Sequence, residues 1–388
     1  MKKITLFLFT LCFTLSAWAT VFTVNGVTYT ITDATNNFVT IGNGNSAAIS
    51  TSSNGVFTIP SSVSYNSVTY SVTTIGNYAF YNCTGVTSVT IPGSVSDIGY
   101  GAFYYCSGLK SVSMSNSVLL IEDYAFSNCS DLGSITIPNS VISIGQYAFD
   151  YCSALTSVTF DSQSSVNSIG NYAFEYCTGL TSFTIPDLVT SISLGTFAGD
   201  TRLTSVTIPG SVTSIGIYAF SACSNLNSVT IPGSVTSIGS SAFNYCTGLT
   251  SIYANNADPS LITLGSTVFS SVPTSTCILY VPTGSKSLYA AADQWKDFTQ
   301  IVEKTTTASP TITNAILNVY PNPMTESFQI SGFDGTALIT LRDLNGKTLL
   351  AKQINSSEKF NINSFSKGIY MIEIKTNEGS ILKKIVKN

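Results

Sequence analysis

One phrase is repeated between Ile75 and Ala254: Ile-Gly-x-Tyr-Ala-Phe-x-x-Cys-x-x-Leu-x-Ser-Val-Thr-Ile-Pro-x-Ser-Val-x-Ser. Its phenylalanine recurs at Phe80, Phe103, Phe126, Phe149, Phe174, Phe197, Phe220, Phe243 and, loosely, Phe269. The spacings are 23, 23, 23, 25, 23, 23, 23 and 26 residues. A fixed short period leaves a chain few options: each unit buries too little alone, so units must stack into a solenoid. In the first full rung the apolar set is Ile75, Phe80, Cys83, Val86, Val89, Ile91 and Val95.

The alternation Ser88-Val89-Thr90-Ile91 places a strand, with Val and Ile facing in and Ser and Thr facing out. Pro92, and its counterparts Pro138, Pro186, Pro209 and Pro232, end that strand. A second short extended piece follows at Val95–Ile98. The repeated glycines Gly76, Gly99, Gly145, Gly170, Gly216 and Gly239 are expected to turn the backbone. Tyr-Ala-Phe-x-x-Cys is expected to be a tight helical turn pointing Phe and Cys inward. The period is that of leucine-rich-repeat solenoids. The motif Ile-Pro-x-Ser-Val-x-x-Ile-Gly-x-x-Ala-Phe-x-x-Cys of Ile91–Cys106 resembles, more closely, the BspA-like or Treponema pallidum type repeats of bacterial surface proteins. The resemblance implies a surface or secreted protein that binds other macromolecules, mostly in adhesion.

Lys2 and Lys3, an apolar run from Ile4 to Leu15 and then Ala17-Trp18-Ala19 make a secretory signal at residues 1–19, cleaved after Ala19. No later apolar stretch approaches the ~18 residues of a spanning helix, so the mature protein is expected not to span a membrane. Charge is sparse, at 9% of the chain, with a net charge of −4. It is also uneven: residues 75–256 hold nine Asp/Glu against Lys110 and Arg202 alone, while residues 315–388 hold nine Lys/Arg against six Asp/Glu. A solenoid this poor in cations excludes nucleic acid as a partner.

Residues 20–74 read as an N-terminal β cap. Val21–Val24 and Val27–Ile31 flank Asn25-Gly26, a hairpin signal, and a second hairpin is expected over Tyr65–Tyr70. The solenoid of about nine rungs then spans 75–256, with a C-terminal cap at 257–303 and a Thr-rich linker at 304–314. Short strands at 315–388 make a small C-terminal β-sandwich, so the chain as a whole is mainly β. This segment opens on Tyr320-Pro321-Asn322-Pro323, turns at Gly346-Lys347 and closes on Gly368-Ile369-Tyr370. It resembles the type A C-terminal sorting domain of the type IX (Por) secretion system of Bacteroidetes. That resemblance implies delivery across the outer membrane by the type IX secretion machinery, acting on residues 315–388.

Candidate chemistry is thin. The chain has no His, which removes the usual hydrolase base and the commonest metal ligand; no metal or cofactor is expected. Cys83, Cys106, Cys129, Cys152, Cys177, Cys223 and Cys246 follow the repeat and read as a buried ladder of free thiols. Asp150 and Glu175 occupy one slot in successive rungs. They are either a solvated acidic step or, at the ~5 Å of stacked strands, a retaining-glycosidase pair. Tyr105, Tyr151, Tyr176 and Tyr245 share another slot, two past Phe, and form either inter-rung packing or an aromatic binding row. A Ser and Thr column lines the strand face from Ser88 to Ser251. The rung around Phe197 departs from the pattern, with Asp200 in the Cys slot and Arg202 nearby, as plain drift or as a local binding feature. After Phe160 the proline is missing and two extra residues predict a bulged loop. The expected function is non-enzymatic binding of an extracellular protein or glycan at the bacterial surface. The alternatives are a surface glycan hydrolase or a structural biofilm component.

Overall fold

The computed structural model describes residues 19–161, 163–304, 318–320, 326–331, 336–343, 347–354, 358–376 and 379–387. Two compact units result, residues 1–304 and 305–388. The expected leader (residues 1–18), the linker and the motif residues Pro321, Asn322, Pro323 and Gly346 lie outside the described residues.

The first unit is a parallel β-solenoid. Each rung contributes one longer strand, and rung-to-rung registers such as Ser134↔Ser157 and Ser228↔Ser251 step by one repeat. The longer strands form a three-stranded sheet, a two-stranded pair (Ser134–Ile137, Ser157–Phe160) and a six-stranded sheet from Ser182–Thr184 to Gln300–Lys304. The short second strands, such as Asp97–Ile98 and Ser143–Ile144, build a further ladder. Its first part begins in the N-terminal region, where Phe38–Ile41 pairs in parallel with Val68–Ile75. The expected hairpins at Asn25-Gly26 and Asn66-Ser67 both form, with all four residues at positive φ.

The segment around each Phe is not helical. It is a run of turns in which alternate residues bond within the rung and across to the next. Tyr81 N–H donates to Tyr78 O (2.9 Å), whereas Phe80 N–H donates to Ala102 O (2.7 Å) and Asn82 N–H to Tyr104 O (2.9 Å). That pattern places left-handed residues two before and two after each Phe, and most are tyrosine, asparagine or serine. The consensus glycines serve another purpose. A Cβ on Gly145 would lie 2.4 Å from the Asp123 nitrogen, so glycine there permits close rung approach.

The core is columnar. In the repeat column from Phe80 to Phe243, one Phe per rung, every ring is fully buried, and adjacent rings stack, as in Phe103–Phe126 at 5.0 Å and Phe126–Phe149 at 5.3 Å. Beside them run the cysteines, all free and buried. They do more than fill space: from Cys106 to Cys246 each thiol donates to the Phe carbonyl one rung back, as Cys106 to Phe80 O (2.8 Å) and Cys246 to Phe220 O (3.0 Å), while Cys83 in the first rung turns to Tyr81 O (3.8 Å). Burial raises their pKa, to about 11 for Cys83, so the donor proton is held at neutral pH. At the far end Trp295 and Phe298 cover Phe269, and the buried Tyr289 donates its hydroxyl to Asn256 O (2.8 Å).

The second unit has a three-stranded and a four-stranded antiparallel sheet sharing one core, which includes Phe328, Ile339, Phe360 and Ile372. Gly368 opens strand Gly368–Thr376, and the buried Tyr370 donates to Ser366 O (2.6 Å). Lys347 is exposed, its backbone N–H held by the Asp343 carboxylate (2.9 Å).

Candidate functional site

The turn edge of the solenoid carries two tyrosine columns. Tyr105, Tyr151, Tyr176 and Tyr245 stand two past Phe, and Tyr78, Tyr124, Tyr147, Tyr172 and Tyr218 stand two before it. All nine have φ between +53° and +60°. A bulky residue in that region is strained, by about 1–3 kcal/mol, and such strain gathers at functional surfaces. Tyr151 and Tyr176 stack at 4.7 Å, Tyr124 and Tyr147 at 4.8 Å, and Tyr147 and Tyr172 at 4.9 Å. Tyr105 instead joins Tyr104 (4.4 Å) and Tyr81 (6.3 Å), and Tyr245 is 58% exposed. Both longer stacks end at the Phe197 rung. There a Cβ on Gly195 or Gly199 would lie 2.2 or 2.5 Å from the Tyr172 or Tyr176 ring. The column before Phe does not stand out in the sequence, because its tyrosines are part of the repeat itself and their positive φ is not written there.

The carboxylates lie within electrostatic reach of these tyrosines. Asp150 senses Glu175, and both act on Tyr147 and Tyr151. The slot was expected to be exposed, but Asp150 is 7% exposed. Ser127 Oγ donates to its Oδ2 (3.3 Å), while Oδ1 has no partner. Burial, then Glu175, raises its pKa to about 7. The clefts lie elsewhere: none of the five described is lined by Asp150 or Glu175.

Asp200 and Arg202 do not come together. Asp200 is fully buried with neither oxygen partnered, because the Cys slot it occupies points into the core, whereas Arg202 is exposed. Among the described residues no group of three or more His, Cys, Asp and Glu is placed to hold a metal.

Asp150 gives a measurable pH dependence. Its carboxyl ionises near pH 4 when unfolded but near pH 7 when folded. Between those values the folded state binds more protons, so stability falls as pH rises, by roughly 4 kcal/mol over the window. Asp150→Asn is expected to remove this contribution, flattening the slope between pH 4 and 7, and to be more stable than the parent at pH 8. Urea titrations from pH 4 to 8 test this; parallel curves for the two proteins would contradict it.

A family model described as the BspA type leucine rich repeat region, in six copies, matches residues 50–181 and 167–289. One described as a secretion system C-terminal sorting domain matches residues 318–388. The chain is similar to a leucine-rich repeat protein from Bacteroides ovatus, at 26% identity over 73% of this chain and 76% of that one, with a TM-score of 0.47. The T. pallidum leucine-rich repeat protein is 26% identical over 53% of this chain and 90% of its own, with a TM-score of 0.46. A leucine rich cell surface protein from Faecalibacterium prausnitzii is 21% identical over 76% and 97%, with a TM-score of 0.33. No curated protein matches.

Proposed function

Because the chain belongs to the BspA type leucine-rich repeat family and carries a secretion-system sorting domain, we propose that it is a surface binding protein whose tyrosine-lined turn edge engages an extracellular protein or glycan. It is an exported, cell-surface or extracellular repeat protein, and its sorting domain addresses the type IX secretion machinery. Among the described residues no helix is long and apolar enough to cross a membrane. The family is one of repeat proteins that are generally non-enzymatic.

The observation that carries the binding reading is the pair of tyrosine columns. Aromatic side chains offer large contact area at low entropic cost, and they dominate binding hot spots. Here Tyr105, Tyr151 and Tyr176 are 43%, 48% and 41% exposed, and held in strained backbone. The test uses the mature chain from Thr20 on glycan and matrix-protein arrays at physiological salt. A specific hit should weaken by at least about tenfold, or ~1.4 kcal/mol, in Tyr105→Ala/Tyr151→Ala/Tyr176→Ala. Self-association with blank arrays would instead favour a structural surface component.

A further inference from the structure

At one boundary both strand ladders open together. The rung of Phe149 has the 25-residue spacing, and Asp161 stands where five other rungs place a proline. Strand Ser157–Phe160 pairs back to Ser134–Ile137 but not forward to Ser182–Thr184. Ser168–Ile169 likewise pairs back to Ser143–Ile144 and not forward to Ser191–Ile192. There Ser193, in a glycine slot, gives its hydroxyl to Ile169 O (2.5 Å), an acceptor of the kind a backbone N–H takes in neighbouring rungs. The turn ladder stays closed across the same boundary, with Phe149 N–H to Ala173 O at 2.8 Å and Tyr151 N–H to Glu175 O at 2.9 Å. The two rungs are thus joined at the turn edge and parted along their strands.

A cleft of about 680 Å³ lies at the parting. Ile185 and Pro186 are buried in its floor, and Phe160 and Leu188 form apolar walls, Leu188 being 54% exposed. Phe160 replaces the aliphatic residue of other rungs, and Phe183 behind it replaces Val or Ile; their rings meet edge to face at 5.8 Å. Two large rings therefore meet at the boundary where both strand ladders are open. Asp161 and Asp187 also line the cleft. Neither takes part in the three ion pairs among the described residues.

We infer that this cleft is a docking site for an arginine or lysine side chain presented by a partner protein. An aliphatic stem lies well on Leu188 and Pro186, and the face of Phe160 suits a cation. The two carboxylates supply opposite charge on a solenoid whose own cations are Lys110 and Arg202 alone over residues 75–256. The volume lies within the roughly 300–1,000 Å³ of known ligand sites. This surface is distinct from the tyrosine columns, so the two readings stand or fall separately.

The mature chain is titrated by calorimetry with acetylated hexa-arginine amide at physiological salt, with hexa-glutamate as control. Saturable binding of one peptide per chain is expected, weakened about tenfold in Asp161→Asn/Asp187→Asn and unchanged in Tyr151→Ala/Tyr176→Ala. Phe160→Ile, which restores an aliphatic residue, is expected to weaken it too. Unchanged affinity in the double Asn variant, several weak equivalents per chain or no binding at all would overturn the assignment.

Discussion

Replacing Asp200 by Cys is expected to stabilise the solenoid, and more so at pH 8 than at pH 5. Every neighbour in the Asp200 column is a cysteine donating to a Phe carbonyl: Cys177 to Phe149 O and Cys223 to Phe197 O, each at 3.1 Å. An ionised carboxylate has no proton to give, and neither oxygen of Asp200 has a partner. Burial, reinforced by Glu175, drives its pKa well above the usual carboxylate range. The unfolded chain ionises near pH 4, so above that the folded state holds a proton the unfolded state has lost. Stability is full below pH 4 and declines by about 1.4 kcal/mol per pH unit up to the raised pKa. A thiol carries no such penalty in this range and restores the donor. The gain should be about 1 kcal/mol at pH 5 and should grow by about 1.4 kcal/mol per pH unit from there up to the raised pKa. Urea midpoints of both proteins at the two pH values decide the matter. A gain independent of pH, or a loss at both, would contradict a buried neutral acid at this position.

Asp200 also shows what a repeat sequence discloses. Position within the period fixes depth, so the Phe and Cys columns were legible, and Asp200 in the Cys slot was legible as an oddity. Its burial follows from the same rule, and pairing it with Arg202 ignored that rule. The Asp150 slot was misjudged for a different reason. It is coupled electrostatically to Tyr147 and Tyr151, both in left-handed backbone, and no glycine marks those two positions. At the consensus positions glycine serves rung contact, as at Gly145, while beside each Phe it is mostly Tyr, Asn and Ser that take the positive φ, with glycine there only at Gly101, Gly195 and Gly199; reading the consensus glycines as turn residues therefore pointed to the wrong places. The insertion after Phe160 was visible by counting. That both strand ladders open there was not, because pairing belongs to the backbone of two rungs and is not encoded in either alone.

Phe126→Ala should be among the most damaging single substitutions in the solenoid, at about 3–5 kcal/mol. Phe126 is fully buried, and its ring is stacked on both sides, 5.0 Å from Phe103 and 5.3 Å from Phe149. In a one-dimensional stack each rung is stabilised only by its neighbours, so truncating this ring weakens two interfaces at once. The effect should therefore be local in origin and extended in consequence. Hydrogen exchange should quicken first at the cross-rung N–H groups of Phe103 and Phe126, which donate to Ala125 O (2.8 Å) and Ala148 O (2.7 Å). Tyr245→Ala is the matched control: its ring is largely exposed, and it should cost about 1 kcal/mol or less. Equal urea midpoints for the two variants would mean that the phenylalanine stack does not hold the rungs together. A much lower midpoint for Phe126→Ala, with exchange faster on both sides of it, would show that stability runs along this column while the tyrosine edge remains free to serve recognition.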